Sequence, residues 1–114
     1  MKTEVKDLPL FHGVPDPEDR RTRIQREFEQ FHADNPRIYA LIVKYSREVL
    51  RVGRLRYSMD AIFERIRWHM YIETKATDEF KLNDHYTSRY ARLVMAQEKD
   101  LAGFFEVRTL RADQ

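Results

Sequence analysis

The side chains in this chain best suited to chemistry are cations and hydroxyls at helical spacing. In "LNDHYTSRYARLVM", residues 82 to 95, a helix-start signal at Asn83 or Asp84 leads into Thr87, Ser88, Arg89 and Arg92. Guanidinium forks can bond base edges or phosphates, and hydroxyls near a helix N-terminus can bond phosphates. A second set, Lys44, Arg47, Arg51, Arg54 and Arg56, lies in "KYSREVLRVGRLRY". The spacing puts the first three on one helix side with only Glu48 at the edge, which suits them to tracking a phosphate backbone. A face of merely solvated charges usually mixes signs. For Arg89 and Arg92 the competing expectation is an ordinary ion pair with Asp84, Glu98 or Glu106.

Other chemistries find little support. No phosphate-cradling G-x-x-x-x-G-K-[ST], no G-x-G-x-x-G and no G-x-S-x-G occurs, and the chain has only 3 glycines. His12, His32, His69 and His85 are dispersed. His69 and Glu73 share a helix face, but two ligands do not define a metal site. Asp60 and Glu64 read as a solvated pair. The absence of cysteine removes disulfides and thiolate metal sites. The expectation is a protein that is not an enzyme and uses neither metal nor cofactor. The N-terminal "MKTEVKDLPLFHG" lacks the apolar run of a signal peptide, and no segment is apolar enough for a membrane span. This reads as a cytoplasmic protein with no membrane partner.

Charge is distributed unevenly along the 114 residues, whose net charge is +2. Residues 37 to 69 carry 8 basic and 3 acidic side chains, whereas the segments on either side are slightly acidic. Arginines outnumber lysines 15 to 6, a bias that suits phosphates and carboxylates alike.

The elements that must position these groups are helical. Residues 1 to 15 read as an extended leader, since Pro9 and Pro15 oppose a helix, and residues 112 to 114 as a tail. Between them, 16 to 111 form a single helical domain. Asp16 caps a first helix with Pro17 at its first position, and Ile24, Phe28 and Phe31 form its apolar stripe. Asn35 and Pro36 open a second helix that Gly53 closes, with Ile38, Leu41, Ile42, Tyr45, Val49 and Val52 on one face. Ser58 caps a third, over 58 to 73. Met59, Ile62, Phe63, Ile66 and Met70 form its main face, while Ala61, Trp68 and Ile72 form a second apolar face that predicts a central position. In the fourth, Tyr86, Tyr90, Leu93, Val94 and Gln97 face inward, leaving His85, Ser88, Arg89, Arg92 and Met95 outward. Phe80 to Leu82 and Phe105 to Leu110 are candidates for at most one short two-stranded β element. The fold class expected is mostly α, a four-helix, helix-turn-helix-like domain. One feature argues against a tight helix-turn-helix: about ten residues separate the third and fourth helices, where that motif uses three or four.

From "FHADNPRIYALI" through "GRLRYSMDAIFERIRW" and "FKLNDHYTSRYARLVM" to "DLAGFFEVRTLR", roughly residues 28 to 111, the chain resembles a group of short proteins encoded in bacterial genomes, prophages and phages. The resemblance implies a helix-turn-helix-like fold and a small accessory protein, a regulator of phage or host genes or a binder of a host protein. It assigns no functional residue.

Together these readings favour binding of double-stranded DNA through Thr87, Ser88, Arg89, Arg92, Lys44, Arg47, Arg51, Arg54 and Arg56, in an accessory or transcription-regulating role. The alternative is a protein-binding accessory or inhibitor that contacts no DNA. The aromatic content, with Tyr57, Trp68, Tyr71, Phe104 and Phe105 beyond what a thin core needs, supports that alternative and leaves a homodimer open, although core filling is the first expectation for most of these side chains.

Overall fold

Two prolines set the start of the architecture. In a computed structural model, which describes residues 17–75 and 81–107, α1 spans Pro17–Asp34 and α2 spans Pro36–Arg51, joined by Asn35 alone. The Asn35 backbone N–H and side-chain Nδ2 both donate to the Phe31 carbonyl at 2.9 Å, so this residue closes α1 rather than capping α2 with its side chain. Pro36 occupies the first turn of α2, where its missing N–H is not needed.

Helix α3, Met59–Trp68, begins at Ser58, whose Oγ accepts from the N–H groups of Asp60 and Ala61 at 3.1 and 3.4 Å. Its last turn, His69–Glu73, widens into a π-helix, with Thr74 N–H donating to the His69 carbonyl at 2.9 Å. Lys75 then takes a left-handed φ of 55° and stops the helix. A short 3-10 turn, Asp84–Tyr86, started by Asn83, leads into α4, Thr87–Gln97, and a second 3-10 turn, Lys99–Leu101, comes after it.

Burial of the inward faces drives this arrangement. Ile38, Ile42 and Tyr45 of α2, Met59, Ile62, Phe63, Ile66 and Met70 of α3, and Tyr90, Ala91 and Val94 of α4 share one core, closed by Leu82, Leu101, Phe104 and Phe105. Each large side chain removed from water here contributes roughly 1.5–3 kcal/mol. Phe28 attaches α1, its ring 4.8 Å from Tyr90 edge-on and 5.6 Å from Tyr86. Burial also raises the Tyr90 phenol above its ordinary pKa.

The four helices, the main α3 face and the α2 face from Ile38 to Val49 match the sequence reading. Four details differ. Val52, expected on the α2 face, is the C-cap residue and is exposed. The back face of α3 is open to solvent at Trp68 and Ile72, so this helix is buried on one side only. Gln97 is exposed. Among the described residues there is no strand: a single parallel bridge joins Tyr57 to Phe105, and Tyr57 N–H donates to the Phe104 carbonyl at 3.2 Å. The candidate pairing of Phe80 to Leu82 with Phe105 to Leu110 lies partly outside the described residues, as do the leader, the tail and Asp16.

Candidate nucleic-acid interface

Helix α2 ends in a backbone clasp that determines where the second cationic set projects. Gly53 N–H donates to the Leu50 carbonyl at 3.0 Å and Arg54 N–H to the Val49 carbonyl at 3.4 Å. This is the paired 5→2 and 6→1 pattern of a Schellman motif, and it requires the positive φ of 99° that Gly53 supplies. The chain then leaves in non-helical conformation until Tyr57 bonds Phe104 and Ser58 caps α3. The segment carrying Arg54, Leu55 and Arg56 is therefore fixed at both ends.

On this scaffold Arg51, Arg54 and Arg56 are exposed, and no hydrogen bond or ion pair engages their side chains among the described residues. Lys44 is exposed two turns earlier on the same side of α2, 5.5 Å from the centre of the Tyr45 ring. Val52 and Leu55, interleaved with the arginines, are 76% and 78% exposed.

Arg47, expected to belong with them, is tied down. Its Nε and Nη2 donate to Asp100 at 2.9 and 3.1 Å, and Nη2 also donates to Glu98 at 2.9 Å. Tyr39 donates its hydroxyl to the other Glu98 oxygen at 2.8 Å. Burial, with that carboxylate beside it, pushes the Tyr39 phenol up to about 12. The hydrogen bond from Arg47 holds the Asp100 carboxyl below its ordinary value. An open groove of about 370 Å³ lies beside this cluster, lined by Tyr39, Ala40, Val43, Lys44, Arg47 and Glu98. With Glu98 on its wall, it is a poor anion trap.

The fourth helix corrects the sequence reading most. Arg89 is not outward: it is 7% exposed and its Nε donates to Gln25 of α1 at 2.9 Å. The cause is α1, which packs its aromatics on Tyr86 and Tyr90 and brings Gln25 to the face assigned to solvent. Thr87 is half-buried and donates to the Asp84 carbonyl at 3.0 Å. Ser88 is half-buried, and Met95 is half-buried with its sulfur accepting the Phe105 N–H. Of the expected outward set only His85 and Arg92 are exposed. Two of the carboxylates expected to pair with Arg89 and Arg92 are engaged by other arginines, Glu98 by Arg47 and Asp84 by Arg67.

Arg67 was missed by the sequence reading. It bonds Glu64, Asp84 and the Leu82 carbonyl, each at 2.6 Å, and so ties α3 to the start of α4. Its i, i+3 spacing from Glu64 carried half of that signal. Arg65 lies 4.4 Å from the centre of the Tyr45 ring and donates to Glu73 at 3.2 Å. His69 Nδ1 also meets Glu73 at 2.9 Å, and these contacts, His69 first, hold the Glu73 carboxyl below its usual range. No cluster of three or more metal-ligating residues occurs among the described residues. No helix among them is long and apolar enough to cross a membrane.

Comparison with known proteins adds no constraint. No family model matches the chain, and no curated protein or solved structure is similar to it. The site rests on geometry alone.

The cations divide accordingly. Arg51, Arg54 and Arg56 lie close together at the end of α2 and in the loop after it, with Lys44 two turns earlier on the same side of the helix. Thr87 and Arg89 are bonded within the domain, Ser88 is half-buried, and Arg92 is exposed on a different helix.

Proposed function

We propose that the protein binds double-stranded DNA, and that it does so through the end of α2 and the 51–56 loop rather than through α4 as a base-reading helix. The observation that carries this reading is the loop itself: three exposed arginines within six residues, none paired to a carboxylate among the described residues, on a backbone fixed at both ends. A pre-shaped cationic segment loses little freedom on binding, and each neutralised phosphate releases counterions. An accessory or regulatory role in a phage or prophage setting is what the resemblance would imply.

The test is a titration of fluorescent duplex with the full chain at low salt. Binding in the micromolar range that weakens linearly with the logarithm of salt is expected; no binding at ~100 µM sinks the reading, because non-specific complexes usually form well below that.

One observation favours the alternative, a protein-binding accessory. Trp68, Tyr71 and Ile72 lie on one side of the α3 end, 56%, 43% and 52% exposed, and a cluster of that kind marks contact surfaces in other proteins. Under this reading a nuclease-treated pull-down recovers a stoichiometric partner that Trp68→Ser releases, while loop arginine variants still bind it.

A further inference from the structure

We propose that the 54–56 segment enters the minor groove of A·T-rich duplex DNA, with Arg54 and Arg56 along the groove and Leu55 as an apolar wedge at a base step. This deepens the DNA reading above and rests on it.

Phosphate contact explains the arginines but not their neighbours. Leu55 and Val52 are the most exposed large apolar side chains described, more so than Trp68 or Ile72. An apolar group gains nothing from a phosphate. It does gain from unstacked bases, and minor-groove proteins combine Arg with inserted Leu or Phe for this purpose.

The shape of the segment points the same way. A helix is about 10–12 Å across and fits only the major groove, whereas the minor groove is about 6 Å wide. The cations of the 51–56 loop lie mainly on a non-helical segment that bends at Leu55, while on α4 Arg89 is buried and Thr87 is bonded within its own chain. A·T-rich tracts narrow the minor groove and deepen its negative potential, which attracts arginine. Arg51 and Lys44, on the helix leading into the loop, are placed to reach the phosphates alongside.

The experiment compares A·T-rich and G·C-rich duplexes of equal length by fluorescence anisotropy, with netropsin as a minor-groove competitor. It uses the full chain, Leu55→Ala and Arg54→Ala, each checked for helicity by circular dichroism. Leu55 and Arg54 are exposed, so both variants should fold. Expected are a preference for the A·T-rich duplex of about tenfold, its loss when netropsin is bound, and about tenfold weaker binding for either variant. Equal binding to both duplexes, indifferent to netropsin, overturns the groove assignment while leaving the DNA reading in place. No binding to any duplex overturns both. Leu55-dependent binding to phosphatidylserine vesicles without duplex binding also overturns it and assigns the loop to an anionic lipid surface.

Discussion

Arg47 and Arg51 sit about one turn apart on the same side of α2, yet they belong to two different regions of the molecule. Arg47 is held by Asp100 and Glu98 from beyond the end of α4, while Arg51 opens a run of exposed cations with no such partner among the described residues. The first region is a clamp that spends its charge on the domain's own assembly. The second offers its charge outward. Helical spacing cannot separate them, because what differs is a pair of carboxylates more than fifty residues away.

The largest expected effect breaks the second region. Reversing Arg51, Arg54 and Arg56 to Glu together should lower duplex affinity by roughly 100-fold or more, with the melting temperature unchanged, as read by anisotropy and thermal unfolding. Loss of folding in that variant would place these arginines among the structural ones.

Next is Arg89→Ala, on the inward side of the same comparison. Losing the hydrogen bond to Gln25 and the packing of the buried stem should cost about 2–3 kcal/mol in denaturant unfolding, with duplex affinity per folded molecule within about threefold. Arg67→Ala should cost less, about 1–2 kcal/mol, because its side chain is 24% exposed and solvent screens part of its attraction to Glu64 and Asp84.

The finest distinction is between the two neighbours on α2. Arg51→Ala should reduce the slope of log affinity against log salt by about 1, and Arg47→Ala should leave that slope unchanged. Arg47→Ala should instead return the Asp100 carboxyl toward its ordinary value of 3.8, measured by an NMR titration. The sign comes from linkage: a carboxyl lowered in the folded state contributes stability above its unfolded pKa, and that contribution is lost as pH falls through the lower folded value. Acid unfolding of the native protein should therefore show a component near and below pH 3.8 that Arg47→Ala lacks.

Much of the frame was legible in the residues. Pro17, Pro36, Ser58 and Gly53 mark helix ends by local chemistry, and the apolar faces of α2 and α3 emerge from periodicity, because both depend on residues a few positions apart. What was illegible depended on distance. Arg89 is buried by the arrival of α1, whose Gln25 lies sixty-four residues earlier in the chain. Trp68 and Ile72 looked like a second buried face, but no element covers them among the described residues, and a wheel cannot show what fails to pack. Of the nine candidate site residues, Lys44, Arg51, Arg54, Arg56 and Arg92 retain the expected exposure, and Arg51, Arg54 and Arg56 do so around a helix terminus, where a chain has to emerge. Phe104 and Phe105, for which core filling was weighed against a docking surface, fill the core beside Leu101.

The bond from Tyr57 to Phe104 has a consequence for the order of events during synthesis. The loop that projects Arg54 and Arg56 is synthesised before α3 and α4, but one of its anchors is supplied only after them, 47 residues later than Tyr57. A nascent chain that has exposed only its first three helices would have the cations without the strut that aims them. Competence for binding should then arrive late, as residues 104 and 105 leave the ribosome, and a truncation that removes them would disarm the loop without touching any residue in it.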